Sequence, residues 1–313
     1  MSLQTIPSKI GVVGARGRLG AYVLRMLEGL DSVDAMAIET LPDGLDAVIN
    51  AAPLLNADLH RLALKSNCHV VDLTTNGKLI REMLTLNSLA KKQARCLIAM
   101  AGLAPGLTGL LARDMLTSTP NAEKVQVSLL QNSSGTAGRQ GTIDMVNLLT
   151  DPKCIYKNRP YPSRLDQGWS NRKMYDFYTP ELEFILEANK IHFVTGFNHR
   201  YMNSAIATMA VVRRVSTPIY RWIRDIVADA KARTPEATAE EIELGAMAFN
   251  AENAVINECL FCLASDYGAT AAIACAAATL AVEGLSHTGA GYLCDFFELD
   301  AILEHPLVQA QLC

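Results

Sequence analysis

The hydrophobic positions of this chain change period repeatedly over its first 122 residues. Short continuous apolar runs alternate with stretches whose apolar residues recur every three or four positions. This is the pattern of buried strands separated by amphipathic helices. Residues 10–13 form the first run, and Leu19, Val23, Leu24 and Leu27 follow at helical spacing. Residues 35–39 read as a second strand, and Pro42-Asp43-Gly44 is turn chemistry. A continuous apolar strand over 47–51 precedes a helix at about 57–66, a strand over 70–73, a helix over 79–94 and a strand over 96–100. After Pro105-Gly106 a helix covers 107–116. Such alternation specifies an α/β fold with a parallel sheet flanked by helices.

From residue 123 the pattern changes. Residues 125–130 alternate as a strand and enter a Gly/Ser loop at 132–141, which feeds a helix over 142–149. Residues 151–182 are rich in Pro, Arg and Tyr with weak periodicity, and are expected to be an ordered loop over a site or interface. A short strand at 193–196 ends at Asn198-His199-Arg200-Tyr201, with helices at 206–215 and 220–233. The Val, Ile and Phe content of 255–261 favours a hairpin with 244–249, turning at 251–253. Asp266 is placed to cap an alanine-rich helix starting near Thr270, and 300–304 is helical.

The first strand runs into a turn with glycines at 14, 17 and 20 and then directly into a helix. Backbone N–H groups and the helix dipole at such a junction favour a phosphate. Gly14 permits the tight turn, Gly17 lets a pyrophosphate approach, and Gly20 lets the helix pack on its strand. The spacing is G-x-x-G-x-x-G rather than G-x-G-x-x-G, so its position between strand and helix carries the assignment. Only 26 residues separate Gly20 from Asp46, room for one strand and little else. The outer part of a nucleotide-binding half, where adenine rests, is expected to be trimmed.

Composition narrows the function classes. With 313 residues, half of them hydrophobic, the chain has room for about two domains with sizeable cores. A net charge of -4 offers no basic face for nucleic acid or an anionic membrane. The apolar stretch 269–282 is too short to span a bilayer. Eight scattered cysteines, with no signal peptide, point to the cytoplasm. Cys259 and Cys262 form a C-x-x-C with no second pair at zinc spacing, and read as buried strand residues.

Four segments in this order resemble the saccharopine dehydrogenase-like reductases. They are the Gly14/Gly17/Gly20 turn, Asp46-Ala-Val-Ile-Asn-Ala-Ala-Pro53, His69-Val-Val-Asp-Leu-Thr74 and Ala101-Gly-Leu-Ala-Pro-Gly-Leu107. Tyr267-Gly-Ala-Thr-Ala-Ala272 is a weaker fifth match. The resemblance implies a Rossmann-type domain over 1–122, completed by about 265–313. It also implies a second α+β domain with a mixed sheet over 123–264, often the dimer contact, and hence a homodimer. The implied activity is hydride transfer between NAD or NADP and a carbon bonded to nitrogen, with an amino acid or keto acid as the small-molecule substrate. A binding protein that keeps the fold without catalysis is the alternative.

Cofactor contacts are expected from Gly14, Arg16, Gly17, Arg18, Leu19 and Gly20. Ala51, Ala52 and Pro53 lie past a central strand, where ligands sit in open α/β sheets. Asp72 and Thr74 are expected to face the nicotinamide side, and Gly102 lies in a turn near the same crevice or simply in a helix-starting turn. Glu39, ending the second strand, suits a ribose and NAD, whereas Arg16 and Arg18 suit the extra phosphate of NADP. In the second domain, His199 and Arg200 are candidates for acid/base work and carboxylate binding, and Arg139 is a second carboxylate partner. A structural histidine and a solvated arginine are the alternatives. Arg172, Tyr175 and Tyr178 could close over substrate.

Overall fold

The computed structural model describes residues 7–132, 137–163, 168–177, 179–183, 188–233 and 241–313. The chain starts with β1 (Ser8–Val13), α1 (Arg18–Glu28), β2 (Val33–Ile38), β3 (Ala47–Asn50), α2 (Asp58–Lys65) and β4 (His69–Asp72). The helix expected over 79–94 is two, α3 (Gly77–Leu84) and α4 (Asn87–Lys92). Asn76 caps α3 by accepting from the N–H groups of Lys78 and Leu79, which starts the helix early. Next come β5 (Cys96–Ala99), α5 (Leu107–Ser118), β6 (Lys124–Gln131), α6 (Arg139–Leu149), β7 (Ile155–Ser163), β8 (Gly168–Phe177) and β9 (Ile191–Phe197). The rest is α7 (Arg200–Val215), α8 (Thr217–Arg233), β10 (Ile242–Phe249), β11 (Val255–Leu263), α9 (Asp266–Glu283), β12 (Gly289–Tyr292), α10 (Leu293–Phe296), α11 (Leu299–Leu303) and α12 (Pro306–Gln309).

These elements form two compact units, Met1–Leu110 with Tyr267–Gln311, and Leu111–Asp266 with Leu312–Cys313. The chain passes from the first to the second inside α5, earlier than the expected boundary at 122.

The first unit holds a six-stranded sheet in the order β12-β5-β4-β3-β1-β2, every pair parallel. All four residues of β3 and of β5 are buried, as continuous apolar strands covered on both faces must be. After β1 the chain adds β2 on one side and then β3 on the other, so the strand order reverses between β1 and β3. Helix α9 buries twelve of its eighteen residues. A helix apolar all round belongs inside, and the Cys275 thiol reaches the carbonyl of Val23 on α1 at 3.6 Å.

His69, at the start of β4, accepts the Cys96 N–H on Nδ1 at 3.2 Å. Burial first, then the Arg95 charge, holds its pKa down to about 4 from an ordinary 6.5, against an upward pull from Asp46. The unfolded chain therefore binds the proton first. His69 stabilises fully above about pH 6.5, and that contribution is lost as pH falls toward 4, with a slope of up to about 1.4 kcal/mol per pH unit. Urea titrations from pH 7 to 4 should show this slope, and His69→Asn should flatten it. An unchanged profile in the variant would assign the slope to other groups.

The second unit holds a mixed sheet in the order β11-β10-β6-β9-β8-β7, in which β6 and β9 are parallel and the other pairs antiparallel. The β10–β11 hairpin forms as expected, with Asn250 Oδ1 accepting from Glu252 and Ala254 N–H across the turn. The expected loop at 151–182 is instead largely the β7–β8 hairpin, in register from Ile155 opposite Asp176 to Ser163 opposite Gly168. β7 is an edge strand, where Pro160 and Pro162 are tolerated. Tyr178 lies outside the described residues. Helices α6 and α7 cover one face, where Leu149, Tyr175, Phe197 and Ile206 cluster. Helix α8 docks on α6 through Tyr220, whose hydroxyl meets Thr150 Oγ1 at 2.8 Å and donates to Asn147 Oδ1 at 3.0 Å. Among the described residues no helix is long and apolar enough to cross a membrane, and no group of His, Cys, Asp and Glu could hold a metal ion.

Candidate functional site

The glycine turn stands at the carboxyl end of β1, where the strand order reverses and open α/β sheets bind ligands. Gly14 has φ +83°, and a Cβ there would lie 2.9 Å from the Ala52 nitrogen and 3.0 Å from the Ala51 carbonyl carbon. A Cβ on Gly20 would lie 2.2 Å from Gly14 O, so this glycine is what lets α1 sit on the turn. Gly17 differs: its Cβ would meet one atom, Gly14 O at 3.2 Å, and otherwise open space. Gly17 is the N-cap of α1, and no side chain caps that end. The turn is thus packed on its own backbone at Gly14 and Gly20 and open at Gly17, next to a helix N-terminus, and it fits a pyrophosphate. Arg18 and Leu19, both half-buried, begin the helix.

The outer side of the turn is reduced. Residues 39–46 link β2 to β3 without a helix. This link lies along β1, where Asp46 N–H donates to Lys9 O at 2.9 Å and Lys9 N–H to Asp46 Oδ2 at 2.8 Å. Arg16 pairs with Glu39 at 2.6 Å, both side chains largely exposed at 93% and 74%. The two residues expected to pull cofactor choice in opposite directions hold each other.

Ala51, Ala52 and Pro53 follow β3, and the Asn50 side chain fixes their path. Its Nδ2 donates to Ala52 O at 3.1 Å and its Oδ1 accepts from Ala52 N–H at 3.2 Å. The expectation for Asp72 needs correction. This carboxylate is completely buried and already committed. Its Oδ2 accepts from Asn50 Nδ2 at 2.7 Å and from His60 Nε2 at 2.6 Å, and its Oδ1 takes the Thr74 N–H at 2.6 Å. Asp72 therefore ties the loops after β3 and β4 together rather than facing a ligand, while Thr74 sits on the loop it holds. His60 is also fully buried, and its Nδ1 has no hydrogen-bond partner among the described residues. Sequence reasoning missed it, although it falls in the buried stripe of α2 with Ala63 and Leu64, where a polar residue demands a partner.

Gly102 is likewise a packing glycine: it is buried, and a Cβ would lie 3.1 Å from Thr270 Cγ2. Thr270 Oγ1 also accepts the Leu103 N–H at 3.3 Å, so the fifth matching segment supports the fourth.

In the second unit, Arg139 opens α6 after β6, and His199-Arg200 opens α7 after β9. Because β6 and β9 run parallel, with Gln131 opposite Phe197, these residues emerge at the same end of one sheet. Arg139 pairs with Asp229 at 2.6 Å, half-exposed. His199 is exposed, with its ring stacked on Tyr201 at 5.4 Å between centroids. The side chain of Arg200 lies outside the description. Arg172 Nη1 donates to Asn198 O at 3.2 Å and so holds the loop that carries His199. Tyr175 does not close over a site: it is buried against Tyr156 at 4.5 Å, donates to Asn203 O, and burial pushes its pKa up.

No family model matches the chain, and no curated protein matches it by sequence. Its fold matches solved structures. Apo saccharopine dehydrogenase (L-Glu forming) from Saccharomyces cerevisiae is similar over 98% of this chain and 99% of that one, with a TM-score of 0.60 and 10% identity. The C. glutamicum DAP dehydrogenase in complex with DAP aligns over 96% and 97% of the two chains, with a TM-score of 0.49 and 12% identity. At 10% identity the yeast structure establishes the shared fold: a Rossmann-type parallel sheet and a second α+β unit.

Proposed function

We propose that this chain is an NAD(P)-dependent oxidoreductase of the saccharopine dehydrogenase-like type, acting at a C–N bond of an amino-acid-derived substrate. The observation that carries this reading is the glycine turn at the strand reversal, open at Gly17 and facing the uncapped N-terminus of α1. Gly17 and the first N–H groups of α1 hold the pyrophosphate, and Ala51, Ala52 and Pro53 form a small-residue wall beside it. A bound nicotinamide would supply the hydride chemistry. In the second unit His199 exchanges the proton, and Arg139 and Arg200 take substrate carboxylates. Calorimetry with NADH and NADPH should show saturable binding. No heat with either at millimolar concentration overturns the reading.

The helix-free link 39–46 and the Arg16–Glu39 pair favour a second reading, a non-catalytic nucleotide- or metabolite-binding protein. Oxidation of NAD(P)H with any amino acid and keto acid pair eliminates it. A reducing, cytoplasmic setting belongs to the first reading. It is supported by the thiols of buried Cys96 and half-buried Cys259, which desolvation raises to about 11.

The homodimer is also part of the proposal. Val211 and Val215 of α7 and Ile219, Trp222, Ile226 and Val227 of α8 are exposed, Trp222 by 66% and Val215 by 83%. Together they offer an apolar area on the order of 600 Å², near the roughly 800 Å² that each partner of a stable dimer buries. Arg221 and Asp225 on α8 bring both charge signs to the same helix, as an isologous face needs. Light scattering should give twice the chain mass for the wild type and the single mass for Trp222→Glu. A wild-type monomer overturns this part.

A further inference from the structure

The mixed sheet has a second face, opposite α6 and α7, that the proposed activity does not use. Lys124 of β6 pairs with Phe249 of β10, and Gln126 of β6 pairs with His192 of β9. Directly paired residues share a face, and so do alternate residues along a strand. Lys124, Phe249, Gln126 and His192 therefore stand together. The β7–β8 hairpin reaches this face at Gln126, whose Nε2 donates to the carbonyl of Pro160, while His192 stays exposed. The hairpin brings Lys157 and Arg159 within electrostatic reach of Lys124 and His192. Among the described residues, Asp176, paired with Arg159, is the one carboxylate bonded to this group.

Beside this cluster is a groove of about 490 Å³ lined by Lys124, Pro160, Asn171, Phe249, Asn253 and Val255. The Lys124 ammonium lies 4.0 Å from the Phe249 ring centroid. Lys124 titrates below its ordinary range, through burial first and then Arg159 and Lys157. His192 does too, through partial burial first and then Lys124, Arg159 and Lys157. Lys124 is thus the charged side chain among the described lining of a mostly apolar groove, with Arg159, Lys157 and His192 within electrostatic reach of it. An anion relieves that repulsion, and the volume is that of a small organic molecule rather than a single inorganic ion.

We propose that this groove binds a small organic anion, with its carboxylate or phosphate head on Lys124 and its apolar body against Phe249, Pro160 and Val255. The groove is built from residues of the second unit alone, and the proposal does not depend on the activity proposed above.

Calorimetry on the full chain at constant ionic strength tests it with benzoate, phenyl phosphate, inorganic phosphate and benzyl alcohol. The expected result is saturable binding of benzoate or phenyl phosphate at least about tenfold tighter than of benzyl alcohol or inorganic phosphate. The better of the two organic ligands identifies the head group. Lys124→Met should weaken that binding by about tenfold or more, and the exposed Lys157→Gln by about two- to threefold. The bound anion should also move the His192 titration upward by NMR. Should Lys124→Met fail to fold, Lys124→Arg should retain binding and Val255→Trp, which fills the groove, should abolish it. The proposal is overturned by no saturable binding of either organic anion, by equal binding of benzyl alcohol or inorganic phosphate, by unaltered binding in Lys124→Met or Val255→Trp, or by displacement of the anion with NADPH.

Discussion

His60→Leu should lower stability by about 3 kcal/mol, because it removes one partner of a fully buried pair and leaves the Asp72 carboxylate short of a donor. The remaining donors to Asp72 come from Asn50, at the end of β3, and Thr74, on the loop after β4, and the segment that follows Asn50 lies against Gly14 of the glycine turn. The loss should therefore reach the proposed nucleotide site as a raised Kd, although His60 itself touches no ligand there. Asp72→Asn with His60→Leu should cost less than the sum of the single changes, since the uncompensated charge disappears. Urea midpoints for the three variants measure this. Strict additivity would mean that His60 and Asp72 do not act as a pair.

Gly20→Ala and Gly17→Ala should separate the two roles of the glycine turn. At Gly20 the new methyl would lie 2.2 Å from Gly14 O and 2.6 Å from Gly14 C, both backbone atoms. The turn or α1 must move, at a cost of about 3 kcal/mol. At Gly17 the nearest atom is 3.2 Å away and φ is an ordinary -78°, so stability should change by less than about 1 kcal/mol. The methyl nevertheless occupies the space a pyrophosphate needs, and nucleotide affinity should fall about tenfold or more. Thermal melts and nucleotide titrations on both variants give the answer. If Gly17→Ala binds NADH and NADPH as the wild type does, the pyrophosphate does not sit on this turn.

Five strands of the parallel sheet were legible as short apolar runs bounded by glycines and by Pro-Asp-Gly chemistry, whereas the sixth, β12, has the sequence Gly-Ala-Gly-Tyr and shows no such run. The β10–β11 hairpin was legible for a related reason, the Val, Ile and Phe content of its second arm. The β7–β8 hairpin was not. Lys157, Arg159 and Arg172 stand where alternation would show apolar residues, and Pro160 and Pro162 read as loop. At the candidate site the backbone features were readable, since a glycine turn is a local property. The side-chain roles were not. Asp72 looked like a ligand-facing acid because its partner, His60, comes from another element, and Arg16 and Glu39 read as rivals until the turn brought them within 2.6 Å. Pairings of this kind arise from the fold and have no period in the sequence.

The late return of residues 267–311 to the first unit bears on how the protein is made. Until that segment leaves the ribosome, β5 has an open edge awaiting β12, and the apolar surface that α9 will cover is bare. The nascent chain must carry this half-built sheet through the synthesis of all 156 residues from Leu111 to Asp266. Contacts so distant in sequence slow folding, and an unpaired strand edge invites association with other chains. Recovery of soluble protein should thus depend on chaperone supply and growth temperature more than the completed fold suggests.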